Sequence, residues 1–411
     1  MRILHFSDVH IGVENYGRTD PETGLSTRLM DFLATLDEVV ECALNENVDL
    51  ALFCGDAYKS RDPSQTHQRE FAKRIARISS AGVPVFLLMG NHDMPHITSR
   101  ATALEIFRTL AVPNVYTADR SATQVVETND GPVQIVALPW IRRSGFLARE
   151  DTRGLTPEEI NEAIQRSLAD NIRLQATELD PGLPAVFAGH VSVSEATTGS
   201  EQSMMLGTDH VLLKSDVALP QFDYVALGHV HRHQILGRDP YVIYSGSLQR
   251  VDFGEEDDDK GFCLIDLDPK LPAGRRVTGF DFREIDARRF LTVNVELRRG
   301  DADPTASVVQ AIKMNHIEGA IVRVLIRLPA ELDAYLRQEE IRQALEGAHF
   351  VAAISREVAE QPRNRLGHRS SDGLEPREAL RLYLDSRGVP GDRAEVLMRH
   401  AAELMQEPET S

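Results

Sequence analysis

Cysteine is scarce. Cys42, Cys54 and Cys263 are the only three in 411 residues, they form no CxxC pair, and Cys42 and Cys54 sit within apolar runs. A disulfide-stapled scaffold is thereby excluded, and the thiols are expected to be reduced core residues of a cytoplasmic protein. Long apolar runs are missing too: stretches such as VPVFLLM (83–89) are strand-length, far short of the roughly 20 residues of a membrane helix. The start, MRILHFSDVH, reaches a charged strand end almost at once, so no secretory leader is expected. Basic charge is in deficit, with 45 Lys and Arg against 63 Asp and Glu and a formal net charge of −18. This argues against a broadly basic nucleic-acid surface. Local binding stays open, because divalent ions held by carboxylates invert the local potential. Part of the acidity is concentrated in EEDDD (255–259), between two strand-like runs, and is expected to form a solvated hairpin tip. There is no internal repeat or low-complexity array.

What is present is a globular balance, 42% hydrophobic and 26% charged residues, in a chain long enough for one large domain and one or two smaller pieces. Up to about residue 270, apolar strands alternate with amphipathic helices. RILHFS, DLALFC (49–54) and VPVFLLM read as strands, and 28–44 places Leu29, Phe32, Leu33, Leu36, Val39, Val40 and Ala43 at helical spacing. A later helix begins at TPEE (156–159), where Thr156 can cap, Pro157 suits the first turn and Glu159 can close a capping box. Further strands are expected at 133–139, 185–189, 224–228, 241–246 and 261–267. One sheet should be mainly parallel and the other mainly antiparallel, packed as an α/β fold, a four-layer α/β/β/α sandwich.

From 285 to 360 the pattern resets to strand, helix, strand, helix, strand, a small α+β module in which Val322, Val324, Ile326 and Leu328 share one face and Arg323 and Arg327 the other. The polar stretch 361–373 reads as a linker, and 374–411 as a pair of amphipathic helices, too small to bury both faces alone. The expected domains are therefore 1–280, 285–360, the linker 361–373 and the helices 374–411.

Polar clusters mark the ends of the strands. Asp8 and His10 stand as DxH past the first, Asp56 in GD past the second, and GNHD (90–93) past the third, while Gly189-His190 and GHVHRHQ (228–234) follow two later strands. In open α/β sheets that carboxyl edge is where ligands bind. Glycine before Asp56, Asn91, His190 and His229 allows a sharp turn that aims a short side chain across the edge. Imidazole, carboxylate and amide oxygen without thiolate suit Mn²⁺, Fe or Zn²⁺, and a bridging carboxylate, here Asp56, suits two ions close together. Each element alone is weak. It is their order, each at a strand end, that points to a two-metal centre.

The set D-x-H, G-D, G-N-H-D, G-H and G-H-x-H resembles the calcineurin-like metallophosphoesterases over roughly residues 1–250. The resemblance implies that Asp8, His10, Asp56 and His231 surround one metal and Asp56, Asn91, His190 and His229 the other, with a water or hydroxide between them as nucleophile. It also implies that His92 assists the phosphate and protonates the leaving oxygen, with Asp93 orienting it. His233 is left as a solvated or neighbouring residue, and His5 as core or surface.

Protein phosphatases of that superfamily usually show G-D-x-x-D-R-G and G-N-H-E, whereas this chain reads GDAYKSRDPS and GNHD. It is more similar to the SbcD-type DNA repair nucleases, through HFSDVHIG, PVFLLMGNHD, FDYVALGHVHRHQ and YSGSLQRVDFGEEDDDKGF. That likeness implies a manganese-dependent double-strand exonuclease and single-strand endonuclease acting on DNA ends. It implies a capping domain, C-terminal helices that bind an SbcC-type coiled-coil ATPase, and a homodimer within a heterotetramer. Relatives commonly carry histidine three residues after the bridging aspartate, where this chain has Lys59. Lys59, Arg61, Arg18, Arg142, Arg143 and Arg250 are the candidate phosphate contacts. The competing readings are a phosphatase or small-molecule phosphodiesterase of the same fold, and a non-catalytic scaffold.

Overall fold

The computed structural model describes residues 1–95, 100–141, 155–199, 210–359 and 376–404. In chain order the strands are β1 (Arg2–Phe6), β2 (Leu50–Phe53), β3 (Val85–Leu88), β4 (Val115–Ala118), β5 (Ala122–Thr128), β6 (Gly131–Leu138), β7 (Ala185–His190), β8 (Ser192–Val193), β9 (Val211–Leu212), β10 (Tyr224–Gly228), β11 (Gln234–Arg238), β12 (Tyr241–Tyr244), β13 (Gly261–Leu267), β14 (Val277–Glu284), β15 (Phe290–Glu296), β16 (Ile321–Pro329) and β17 (Phe350–Ala359).

Two six-stranded sheets carry the larger part, ordered β14-β13-β1-β2-β3-β4 and β11-β12-β10-β7-β6-β5. In the first, β1, β2, β3 and β4 run parallel, β13 is antiparallel to β1, and β14 is antiparallel to β13. In the second, β12, β10, β7 and β6 run parallel, with β11 and β5 antiparallel at the edges. The expected division into one mainly parallel and one mainly antiparallel sheet is thus corrected in its second half: both sheets are mainly parallel, with antiparallel strands toward their edges. The physical reason is that helical or long crossovers join β6 to β7 and β7 to β10, and the β11–β12 hairpin brings β12 back beside β10 in the parallel direction.

Strand alternation builds the layers. Leu4, Phe6, Ala51, Phe53, Val85 and Leu87 face the helices α1 (Thr27–Asn45) and α2 (Gln65–Ser80). Their neighbours Ile3, Leu50, Leu52, Phe86 and Leu88 face the other sheet, meeting Ile135, Ala137, Val186, Ala188, Tyr224 and Ala226. The opposite face of that sheet, Val136, Leu138, Phe187, Val225 and Leu227, packs on Ile160, Ile164, Leu168 and Ile172 of the helix Pro157–Thr177. The capping box of that helix is formed as the sequence indicates, Thr156 with Glu159. Period-two strands buried on both faces, covered by one-sided helices, give the α/β/β/α order.

By contacts the chain divides into two compact units. One comprises Met1–Val293, Ile312–Val324 and Ala344–Ile354, the other Asn294–Ala311, Leu325–Gln343 and Ser355–Ser411. A third sheet is ordered β15-β16-β17, and along β16 Val322, Val324, Ile326 and Leu328 are buried while Arg327 is exposed. In the second unit the helices Pro376–Ser386 and Gly391–Leu404 follow one another. The expected linker 361–373 lies outside the described residues. No described helix is long and apolar enough to cross a membrane.

Candidate metal centre

The two sheets present their carboxyl ends to one edge. Pairing of the first two strands continues past their ends, Asp8 N–H to the Gly55 carbonyl at 2.9 Å and His10 N–H to the Asp56 carbonyl at 3.1 Å, which lines up Asp8, His10 and Asp56. In the second sheet the register Gly228↔His190 places His190 beside the GHVH turn. Four of these residues have left-handed backbone, Asp8 (φ 51°), His10 (φ 50°), Asp56 (φ 61°) and His229 (φ 95°). Each such conformation costs on the order of 1–3 kcal/mol, and such strain clusters at functional sites.

Glycine permits close approach rather than only a turn. A Cβ on Gly90 would run into the Asp56 carboxylate, and one on Gly228 into the Cys54 carbonyl oxygen.

The donors converge. His10 Nε2 and His231 Nε2 lie 2.9 Å apart, and Asn91 Oδ1 lies 2.9 Å from His190 Nε2 and 3.1 Å from His229 Nδ1. Asp56 Oδ2 is 3.4 Å from His190 Nε2 and 3.8 Å from His10 Nε2, and Asp8 Oδ1 is 3.9 Å from His10 Nε2. Asp8, His10 and His231 form one group of mutually close donor atoms, and Asp8, Asp56 and His190 another. Ligands bonded at about 2.1 Å to one ion stand roughly 3 Å from each other, so the spacing and the oxygen and nitrogen donor set fit divalent cations. Asp8, His10, Asp56, His190, His229 and His231 are all at most 3% exposed. Buried carboxylates facing imidazoles at such spacing need cations, protons or metal ions, for neutrality.

Electrostatics follow the geometry. Burial alone would raise the Asp56 carboxyl, yet His190, His92 and His10 hold it well below the ordinary carboxylate range. Burial and the facing His231 push His10 well down. His190 sits at about 9, Asp56 outweighing burial. Burial pushes Asp93 upward, and the Asp56 charge adds to it.

Three of the rings have a prop. His190 Nδ1–H donates to the Cys54 carbonyl at 2.7 Å, His231 Nδ1–H to Glu255 Oε1 at 2.7 Å, and His92 Nδ1–H to the Lys59 carbonyl at 2.7 Å. Asp93, expected to orient His92, is committed elsewhere: it accepts from the N–H groups of Asp56 (2.8 Å), Ala57 (3.0 Å) and Gly90 (2.9 Å). A buried carboxylate takes the amide donors that a tight loop leaves free, and so it shapes the turn that carries Asp56. Lys59 contributes its main chain to the site rather than only its ammonium.

Several expectations move. His233 lies outside the donor groups and is half-buried, its ring stacked on Phe282 at 3.8 Å and 8°. His5 is core, 2.8 Å from the Tyr224 hydroxyl. Arg250 is no phosphate contact, because its guanidinium is spent on the carbonyls of Glu255, Ala287, Arg288 and Asp258. Arg61 donates to the Asn91 carbonyl at 3.0 Å, and Arg18 lies over Phe350. Arg142 and Arg143 lie outside the described residues. The EEDDD tip is not all solvated: Glu255 and Asp258 are buried. Trp140, whose ring centroid is 5.0 Å from that of His229, also escaped the sequence reading, since a lone aromatic after a strand carries no motif.

Comparison with known proteins matches residues 1–233 to the family model described as calcineurin-like phosphoesterase. The chain is 28% identical to the SbcD component of the nuclease SbcCD from Escherichia coli K12 over 266 residues, 62% of each chain. It is 29% identical to the corresponding SbcD protein of Rhodobacter capsulatus, over 65% of this chain and 66% of that one. To the DNA double-strand break repair protein Mre11 of Haloferax volcanii it is 26% identical, over 82% of this chain and 65% of that one. The chain thus spans 62% of the length of the E. coli relative. A family match over more than half the chain, covering the stretch that supplies every clustered donor, leaves one conclusion: the chain belongs to the calcineurin-like phosphoesterase family, hydrolases that work with two divalent metal ions.

Proposed function

We propose that the chain is the nuclease subunit of a DNA end-processing complex, a double-strand exonuclease and single-strand endonuclease that uses two divalent ions, Mn²⁺ by preference. The observation that carries this reading is the convergence of Asp8, His10, Asp56, Asn91, His190, His229 and His231 with His92 at their rim. Asp8, His10, Asp56 and His231 would hold one ion and Asp56, Asn91, His190 and His229 the other. Bound there, the ions neutralise phosphodiester charge and acidify a water.

The remaining steps fall to side chains of the protein. His92, its Nδ1–H tied to the Lys59 carbonyl, would act as imidazolium, giving its Nε2 proton to the leaving oxygen and ending as the neutral ring. Asp93, by fixing the amides of residues 56, 57 and 90, keeps Asp56 and the GNHD turn in register. Lys59 and Arg61, both exposed at the rim, supply phosphate contacts without base readout.

The similarity to SbcD and Mre11 proteins supports DNA as the substrate and an SbcC-type ATPase as partner, with a homodimer inside a heterotetramer, in the cytoplasm. The proposed arrangement is a nuclease domain 1–280, a capping domain 285–360 and partner-binding helices 374–411. Exposed apolar side chains on those helices, Tyr383, Val396 and Leu397, support the last assignment. The test is hydrolysis by the purified chain with Mn²⁺ on linear duplex DNA, single-stranded DNA and a chromogenic phosphodiester. Cleavage of all three is expected; cleavage of the small ester alone would place the chain with the small-molecule phosphodiesterases. Deleting 374–411 should leave hydrolysis unchanged and abolish ATPase binding in a pull-down, and persistent binding would refute that role.

A further inference from the structure

Behind His231 lies a charged pair that the sequence disguises as part of an acidic hairpin tip. Glu255 is 0% and Lys260 2% exposed. Glu255 Oε1 accepts from His231 Nδ1 at 2.7 Å. Its Oε2 accepts from Lys260 Nζ at 2.8 Å and from Val251 N–H at 3.1 Å. Lys260 also donates to the His231 carbonyl at 3.1 Å and to Ser247 Oγ at 2.9 Å. One ammonium therefore holds both the main chain of His231 and the carboxylate that grips its ring.

A carboxylate that takes hydrogen bonds from an ammonium and a main-chain N–H is an acceptor only. The proton of the His231–Glu255 bond must then sit on Nδ1. Nε2 is left with its lone pair, and that atom lies 2.9 Å from His10 Nε2, among the donors of the Asp8 side. On the opposite side, His190 takes its orientation from a main-chain carbonyl and owes nothing to this pair.

We propose that Glu255, anchored by Lys260, is a positioning residue that fixes the His231 ring with its Nε2 lone pair toward Asp8 and His10, and so sets divalent-ion affinity on that side of the cluster alone. The inference rests on the two-ion reading of the preceding section. Its physical basis is that the group behind a ligating histidine fixes the tautomer and orientation of the ring and raises its basicity. Glutamine at 255 would keep the shape but could turn its amide N–H₂ toward Nδ1, which moves the imidazole proton onto Nε2 and blocks ligation.

The experiment is titration of the whole chelator-stripped chain with Mn²⁺ alone, followed by calorimetry and by the electron paramagnetic resonance of free Mn²⁺. Wild type should take two ions. Glu255→Gln should take one with unchanged affinity and the other about 10–100-fold more weakly, and Co²⁺ in place of Mn²⁺ should show one altered component in its visible ligand-field spectrum. Glu255→Gln leaves Lys260 buried with only the more distant Asp258 carboxylate, at 3.7 Å, as counter-charge, so the double variant Glu255→Gln, Lys260→Met is run beside it. The double variant removes both charges at similar volume, its fold is checked by near-ultraviolet circular dichroism, and it should show the same one-sided loss. A folded double variant that binds both ions as wild type does, or that loses both equally, overturns the proposal. A folded wild type that binds no ion overturns the two-ion reading itself.

Discussion

The two sides of the donor cluster hold their histidines by different means. His190 is oriented by the carbonyl of Cys54, a main-chain atom fixed by sheet register, whereas His231 is oriented by the Glu255 carboxylate and, through it, by Lys260. A main-chain prop cannot be exchanged by substitution and carries no net charge. A side-chain prop can be exchanged, and its charge raises the basicity of the ring it holds. The difference teaches that two similar candidate histidine donors in one site can have unequal sensitivity to mutation.

The largest effect is expected where the sides meet. Asp56 lies within 4 Å of both His10 and His190, so Asp56→Ala should reduce Mn²⁺-dependent phosphodiester hydrolysis to background. Activity near wild type would show that the sides share no ligand. Next comes His92, which touches neither prop. His92→Ala should lower the hydrolysis rate by about 10²–10⁴-fold with Mn²⁺ binding intact, and loss of an ion in that variant would make it a ligand instead.

Gly228→Ala probes the main-chain prop indirectly, by driving a Cβ against the very carbonyl that orients His190. Urea unfolding should report a loss of about 1–3 kcal/mol, and calorimetry a weakened ion on the Asn91 side. An unchanged titration would mean that the Cys54 carbonyl is not critical for ligation.

The smallest effect concerns a histidine with no place in either side. Burial holds the His5 imidazole at about 3, below its ordinary 6.5. Between those values the unfolded chain binds more protons than the folded one. His5 therefore leaves stability intact above about pH 6.5 and erodes it as the pH falls toward 3, by about 1.4 kcal/mol per pH unit. In the chelator-stripped protein His5→Gln should flatten the decline in urea midpoint from pH 7 to pH 5, and an unaltered slope would refute the assignment.

Much of the fold was legible because strand and helix periods are local. The apolar runs of β1, β2, β3, β6, β7, β10, β12 and β13 stand out as strands, and Thr156 and Glu159 announce their helix. The edge strands β5, β11 and β14 were not legible, since half-exposed alternation at a sheet edge resembles a loop. Nor was the mixed character of both sheets, which depends on which strands pair across gaps of tens of residues.

The candidate donors were legible for a related reason: each is a polar residue set directly after a run that can only be buried. Their props were not. Glu255 stands among Glu256, Asp257, Asp258 and Asp259, and nothing local separates the acid that grips His231 from the four beside it. Asp93 and Lys59 are likewise typed correctly as charged residues near the edge, yet the work of one is to satisfy loop amides, and the other contributes a carbonyl to His92.

By itself the sequence determined the family and the chemical types of the donors, because ligand identity and position after a strand are properties of short segments. Only the tertiary structure decided which ring nitrogen faces the site, which acid braces it and which arginine is already spent. Those are fixed by hydrogen bonds between residues far apart in the chain, such as the ones that bind His190 to Cys54 and Arg250 to the carbonyls of Ala287 and Arg288. Burial makes each such bond obligatory, and no single segment carries both of its partners.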